Sequence, residues 1–273
     1  MQNITLVYPV AGMSSRFGGK VKQFAQVGQN GETLIEVSMK QALKCGFSKI
    51  VFVVGEKTEN LFKEKFGNSY LFEGKKTPIF YAKQTFNPNE RDKPWGTCDA
   101  TICAKPFITE PCVFCNGDDI YGENTFRIIV DWIKKNNSPA TIGYGLDKCV
   151  PEKGSVNRAI FSVDKNGYLT DMVETIGIEM NKLDEMQLTK KTICSMNMFA
   201  LYPNVLDLLE KKLIEFKETH KNERKTECYL PMELSKLIKE GKTTVKLLRT
   251  NDTWLGVTNP EDEEYVRNEL KKL

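Results

Sequence analysis

A single histidine, His220, stands among 273 residues, and it falls in a charged helical segment. Imidazole acid–base chemistry and zinc sites built on ring nitrogens therefore have little to draw on. Neither sign of charge prevails: 39 Lys and Arg face 36 Asp and Glu, a net +3, and the two signs interleave along the chain. That balance calls for neither a nucleic-acid nor a lipid surface, though it leaves room for a local basic pocket around a phosphate. No apolar run approaches the length of a membrane span. Met1-Gln2-Asn3 leads straight into ITLVYPVA, without the charged, apolar and small-residue regions of a signal peptide. A cytoplasmic location with reduced cysteines is expected. The eight cysteines form no framework. Cys112 and Cys115 make a C-x-x-C, but inside PCVFCN, which reads as a buried strand whose residues three apart point to opposite faces. No second C-x-x-C exists to complete a metal site, so the cysteines read as small buried hydrophobes. Internal repeats, low-complexity tracts and linkers are missing as well.

What is present is alternation. ITLVY, KIVFVVG, PIFYA, PCVFCNGDD and ATIGYG read as strands, and TLIEVSMKQALKCG, ENLFKEKFG, TCDATICAK and NTFRIIVDWIKKN as the helices between them. Beyond about residue 150 the pattern changes. AIFSVDKNGYLTDMVE reads as two strands about a turn at Lys165-Asn166-Gly167, followed by the strand TICSMNMFALY and two helices. TTVKLLR then reads as a strand and PEDEEYVRNELKKL as a terminal helix. The class expected is α/β: a three-layer αβα, Rossmann-like sheet, mixed but mainly parallel, with a smaller α+β lid lobe over one edge. In such sheets ligands sit beyond the carboxyl ends of the strands. AGMSSRFGG and NGDDIYG both follow strands, so both are expected at that edge.

The stretch VYPVAGMSSRFGGKVKQF carries more permissive and cationic residues than a surface turn needs. It is not a Walker A loop, which would need glycine at Ser14 and Ser or Thr at Val21. Nor is it G-x-G-x-x-G, which would need glycine at Ser14 and Phe17. The physics of a phosphate cradle survives both failures. Gly12, Ser14 and Ser15 can present backbone N–H groups to an anion, Arg16 can clamp oxygens with its planar fork, and Lys22 can add a point charge.

AGMSSRFGGKVKQF resembles the signature of the sugar-1-phosphate nucleotidylyltransferases, A-G-x-(G/S)-(S/T)-R followed by P-K-x-(L/F). Three further segments are similar in order and context. KPWGTCDA resembles the family's P-x-G-(T/L)-A-x-A helix start, CNGDDIYG its strand ending in G-D, and WLGVTNPEDEEYV its W-x-(D/G)-(V/I)-x-x-P-E-D segment. The resemblance spans nearly the whole chain and is densest over residues 4–122. It implies one nucleotidyltransferase domain over 1–273, with a nucleotide-binding core in 1–150 and an acceptor-binding lobe and C-terminal helices in 151–273. It implies a reaction between a nucleoside triphosphate and a sugar 1-phosphate or other small phosphate ester, releasing pyrophosphate. By resemblance the amides of Ala11, Gly12, Met13, Ser14 and Ser15 cradle the triphosphate, and Arg16 holds the leaving pyrophosphate. Lys22 neutralises the reacting phosphates, Gln84, Gly96 and Thr97 contact the base, and Asp118 binds Mg²⁺. Trp95 and Asp119 are further candidates at the same two segments.

The departures from the family pattern are informative. Its second metal carboxylate stands in W-x-D, where this chain has Gly256. Thr258, Asn259 or Asp252 are the oxygens left to replace it. The sugar-contacting E-K-P keeps Glu174 but has Thr175 for the lysine, with Arg158 on the neighbouring strand as substitute cation and Asn197 at a substrate-facing position. The acceptor is then not bound to be an ordinary hexose 1-phosphate. Two alternatives stand beside the transferase: a non-catalytic nucleotide-sugar-binding or regulatory subunit of the same fold, and a nucleotide-sugar-dependent glycosyltransferase. No partner nucleic acid or membrane is expected, and oligomeric state is not legible.

Overall fold

Successive residues of β1 (Thr5–Pro9) leave the sheet on opposite faces, and both faces are covered: Leu6 and Tyr8 enter one hydrophobic core, Val7 the other. β2 (Lys49–Val54) repeats the alternation, with Ile50, Phe52 and Val54 on the first side and Val51 and Val53 on the second. A strand buried on two faces has no polar face to show, which is why both segments are near-continuous apolar runs. The computed structural model of the protein describes residues 2–12, 21–152, 154–257 and 262–272.

The helices divide between the two faces. α1 (Leu34–Lys44) starts where the Glu36 carboxylate accepts the Thr33 backbone N–H at 2.9 Å, and it lays Ile35, Met39 and Ala42 on the first core. α2 (Glu59–Phe66) covers the same side through Phe62 and Phe66. Next comes a hairpin, β3 (Ser69–Phe72) and β4 (Lys75–Lys83), of which the sequence reading expected only the PIFYA part. Its turn is Glu73-Gly74, both at positive φ, a tight geometry that SYLFEGKK announces weakly because no asparagine or aspartate marks it. α3 (Thr97–Ala104) crosses to the second face with Ala100 and Ala104. β5 (Cys112–Phe114) is shorter than the expected PCVFCNGDD strand; the chain turns after it and resumes as β6 (Asp119–Ile120). α4 (Glu123–Asn136) returns Phe126, Ile129 and Ile133 to the first core ahead of β7 (Ala140–Gly145). β8 (Val156–Val163) and β9 (Leu169–Ile178) pair about the expected 165–167 turn and lead into β10 (Ile193–Leu201). α5 (Pro203–Thr219) and α6 (Leu230–Lys239) cover the second face through Leu206, Leu209, Leu230 and Leu234. β11 (Lys246–Arg249), β12 (Leu255–Gly256) and α7 (Asp262–Leu270) complete the chain.

The main sheet runs β11-β7-β10-β5-β1-β2-β4-β3. β1, β2, β4 and β5 are parallel, β11 is parallel to β7, and β10 is antiparallel to both of its neighbours in that order. The sheet is therefore mixed and mostly parallel with helices on both faces, as expected. Strand order brings a finding that sequence order hides: β10, from beyond residue 190, inserts between β5 and β7. The β8–β9 hairpin joins the edge of β10 at Cys194 opposite Ile160, and β12 pairs separately with β6. All eight cysteines are free thiols, and Cys112 and Cys115 do point into opposite cores. His220 stacks on Phe216 with ring centroids 4.3 Å apart. No helix among the described residues is long and apolar enough to cross a membrane.

Candidate active site

Four parallel strands end at one edge of the sheet, and a cavity of about 680 Å³ opens there. Ala11 and Gly12 leave β1 at that edge, and Asn116 to Asp118 leave β5. Among the sequence-derived candidates, the cavity wall gathers Lys22, Thr97, Asp118, Arg158, Glu174 and Asn197, together with Asp119. Residues some 175 positions apart thus share one wall, which only the return of β10 to the sheet centre can arrange. Met13, Ser14, Ser15 and Arg16, and likewise Thr258 and Asn259, lie outside the described residues.

Lys22 opens a single helical turn, Lys22–Phe24, and its Nζ lies 2.5 Å from Asp118 Oδ2. Both side chains keep some exposure, 19% and 28%, so the pair faces the cavity rather than the core. Asp119 is different. Its carboxylate is buried, with Oδ2 accepting from Asn116 Nδ2 at 2.8 Å and lying 3.2 Å from the Tyr121 hydroxyl. Burial, and then the like charge of Asp118, push its carboxyl up to about 7. The Trp254 indole N–H comes near enough to favour the charged form of Asp119 without reaching hydrogen-bond geometry; it is buried with no acceptor among the described residues.

β12 lies opposite β6, with Gly256 directly across from Asp119. The Trp254 ring folds back over Gly256: a Cβ there would stand 2.5 Å from Cζ2 and Cη2 of the indole and 3.3 Å from Asp119 Oδ1. The place of the family's W-x-D carboxylate is thus filled by an aromatic ring, with the Asp119 carboxylate beside it. Asp252 does not replace it either. Its Oδ2 accepts the Thr125 backbone N–H at 2.8 Å and the Thr125 hydroxyl at 3.1 Å, satisfying the first turn of α4.

The opposite wall comes from β8, β9 and β10. Arg158 donates to the carbonyls of Asn157 (2.9 Å) and Cys149 (3.1 Å), lies 5.3 Å from the Trp254 ring centre, and keeps a buried Nε–H with no acceptor among the described residues. Glu174 is paired across the hairpin with Ala159, and burial raises its carboxyl above the ordinary range against the pull of Arg158. Asn197 sits where the β10 register shifts, between Ser195 and Phe199. Its φ of 57° is left-handed, which asparagine tolerates better than most residues, and its N–H is held by the Ser195 hydroxyl at 3.0 Å. The bulge turns this residue out of the ladder and towards the cavity.

The KPWGT segment is braced from behind. Gln84 is buried and spends both amide N–H bonds inside the protein, on the Gly96 carbonyl (3.0 Å) and Asp99 Oδ2 (2.8 Å). Trp95 stacks on Arg91, whose guanidinium carbon is 3.3 Å from the ring centre and which donates to the carbonyls of Lys93, Glu223 and Thr226. Neither Gln84 nor Trp95 lines the cavity. Gly96, at φ 93°, approaches the Cys228 carbonyl so closely that a Cβ would come within 2.7 Å. That contact sets Thr97, whose hydroxyl accepts the Leu230 N–H at 2.9 Å, beside Tyr229 and Met232 on the cavity wall. Tyr229, Met232, Trp254 and Asn116 were not legible as site residues. Asn116 and Trp254 lie in the recognised NGDD and WLGV runs, but Tyr229 and the first turn of α6 carry no motif.

Residues 19–269 match the family described as Nucleotidyl transferase. No curated protein matches the sequence. Among solved structures the chain is similar to a UDP-glucose pyrophosphorylase complexed with UDP-glucose, at 15% identity and a TM-score of 0.67, covering 100% of this chain and 99% of that one. It is similar to the UTP-bound UGPase of Acinetobacter baumannii at 14% identity and TM-score 0.68, covering 98% and 93%. The inositol-1-phosphate CTP transferase of T. maritima superposes at 16% identity and TM-score 0.65, covering 99% and 97%. At such identities these likenesses speak for the fold, while the family match speaks for the class of enzyme. The chain belongs to the nucleotidyl transferase family and is a nucleotidyltransferase.

Proposed function

We propose that this enzyme joins a nucleoside triphosphate to a phosphate monoester, in first place a sugar 1-phosphate, and releases pyrophosphate with the help of Mg²⁺. The observation that carries the reading is the Lys22–Asp118 pair at the carboxyl edge, in one cavity with Arg158, Glu174 and Asn197. The names of the similar structures, which mention UDP-glucose, bound UTP and an inositol-1-phosphate CTP transferase, point the same way.

An oxygen of the acceptor phosphate attacks the α-phosphorus in line. The α–β anhydride bond breaks and its electron pair leaves with pyrophosphate. Such a displacement needs position and charge neutralisation rather than a covalent nucleophile. Lys22 neutralises the α-phosphoryl group or the incoming phosphate once released from Asp118. Arg16 and the amides of residues 11–15 hold the triphosphate, and Gly96 and Thr97 stand on its base side. Arg158, Glu174 and Asn197 orient the acceptor, so residues 1–150 act as nucleotide-binding core and 151–273 as acceptor-binding part.

The residues present fit a magnesium ion. Asp118 offers a hard carboxylate oxygen to the cavity, and no cluster of three His, Cys, Asp or Glu side chains occurs among the described residues to make a full protein cage. Phosphate oxygens and water would complete its shell, the usual habit of this ion. When bound it would supply charge neutralisation between the phosphates.

The test is thermal stability with ATP, CTP, GTP, UTP and dTTP, each with and without Mg²⁺. A nucleotide at a hundred times its dissociation constant adds about 2.7 kcal/mol to the native state. Magnesium-dependent stabilisation by one of them, lost in Asp118→Asn, is expected. Acceptor screening by pyrophosphate release then follows with that nucleotide. A flat response to all five at saturating concentrations would overturn the proposal.

A further inference from the structure

Two of the cavity's working segments, the turn that carries Asp118 and the β10 bulge, are tied together by one side chain behind the cavity wall. Tyr121 is fully buried and does not line the cavity. Its hydroxyl accepts the Asn116 backbone N–H at 2.9 Å, donates to the Met196 carbonyl at 2.7 Å, and lies 3.2 Å from Asp119 Oδ2. The first contact holds the turn that carries Asp118, the second holds the β10 bulge next to Asn197, and the third meets the buried carboxylate between them. Asn116 adds a side-chain bond to the same Asp119 oxygen at 2.8 Å.

We propose that Tyr121 is a positioning residue that couples the Asp118 turn to the Asn197 bulge, so that the metal-binding and acceptor-binding ends of the site move as one unit. The inference rests on the reading of Asp118 and Asn197 given above. Its physical basis is that two of the hydroxyl's three partners are main-chain groups at irregular points of the fold. Asn116 stands just past the end of β5, and Met196 lies inside a register shift with no ladder pairing of its own. Without the hydroxyl a half-buried N–H and a buried carbonyl lose their partner, and neither segment has a neighbouring ladder to recover it. The ring is anchored independently, edge-on to Phe126 at 5.9 Å and tilted against Tyr144 at 6.5 Å. Phenylalanine would therefore keep the packing and remove only the coupling.

The experiment compares the wild-type enzyme with Tyr121→Phe, Asn197→Gly (which keeps the left-handed backbone) and the double variant. In Tyr121→Phe the KM for the acceptor is expected to rise about tenfold or more while the KM for the nucleotide stays within about twofold. A general loosening of the fold would move both together. If Tyr121 acts through the bulge, the double variant is no worse than Asn197→Gly alone; additive losses would overturn the proposal. Hydrogen exchange gives a readout that needs no turnover. Mg-nucleotide should protect residues 195–198 in the wild type and fail to do so in Tyr121→Phe; equal protection in both would also overturn it. A wild-type protein that binds nucleotide but shows no turnover with any acceptor would sink the proposed reaction, leaving the exchange experiment to judge the coupling by itself.

Discussion

Replacing Gly256 by alanine would place a methyl carbon 2.5 Å from Cζ2 and Cη2 of Trp254 and 3.3 Å from Asp119 Oδ1. Carbon atoms in contact settle near 3.5–4 Å, so the indole has to retreat by about 1 Å or more. It is not free to do so, because Arg158 lies against its ring and Asp119 beside its N–H. Forced overpacking of this kind costs about 1–3 kcal/mol. For a chain of this size each kcal/mol lowers Tm by about 2–4 °C. The same displacement moves Arg158, so acceptor affinity should fall along with stability. Differential scanning fluorimetry reads the first effect, and intrinsic fluorescence the second, since Trp254 is one of only three tryptophans. Trp254→Phe removes the two clashing carbons, so the Gly256→Ala/Trp254→Phe double variant should recover part of the loss relative to Gly256→Ala. An alanine variant with unchanged Tm and emission spectrum would refute the reasoning. So would a Gly256→Asp variant that bound Mg²⁺ more tightly at unchanged stability, because the carboxylate would then have found room that the ring denies it.

Lys22→Ala should lower turnover by about two orders of magnitude or more, the scale of losing one pre-placed charge on the reacting group. It should barely change the melting curve, since a partly exposed ion pair contributes little to stability; near-wild-type pyrophosphate release would remove Lys22 from the mechanism. The Asp119 carboxyl titrates at about 7 in the folded protein, against an ordinary value of 3.8, so the native state keeps a proton that the unfolded chain gives up. Its contribution to stability is whole below the ordinary value and is lost as pH rises toward about 7. Asp119→Asn should flatten that part of the Tm–pH curve, and parallel curves for the two proteins across the window would contradict the assignment. Gln84→Ala leaves the buried Asp99 Oδ2 without its amide donor, while the half-buried Gly96 carbonyl keeps only the Ala100 N–H, a loss of about 1–3 kcal/mol. A lower urea midpoint is expected, and an unchanged one would show that water replaces the amide.

Much of the fold was legible because strands buried on two faces and helices buried on one write different periods into the chain. ITLVY and KIVFVV announce central strands, and TLIEVSMKQALKCG announces a helix with both of its ends. Lys22, Asp118 and Thr97 were legible through motifs, where a ligand's phosphates demand particular residues at particular spacing. The β3–β4 hairpin escaped because its turn lacks the usual residues, and PCVFCNGDD looked like one strand because a turn at Gly117-Asp118 interrupts an otherwise strand-like run. What the sequence by itself determined about this protein is therefore its class, its layers and the identity of the loop-borne charges. Tertiary structure alone decided the rest: that β10 returns between β5 and β7 and carries Asn197 to the site, that Trp254 occupies the space above Gly256, and that Asp252 serves a helix terminus rather than the cavity. The reason is physical. Periodicity and motifs record how a residue relates to its chain neighbours or to a ligand, whereas strand order and ring packing are settled by which distant surfaces bury one another best, and a single chain carries no local mark of that.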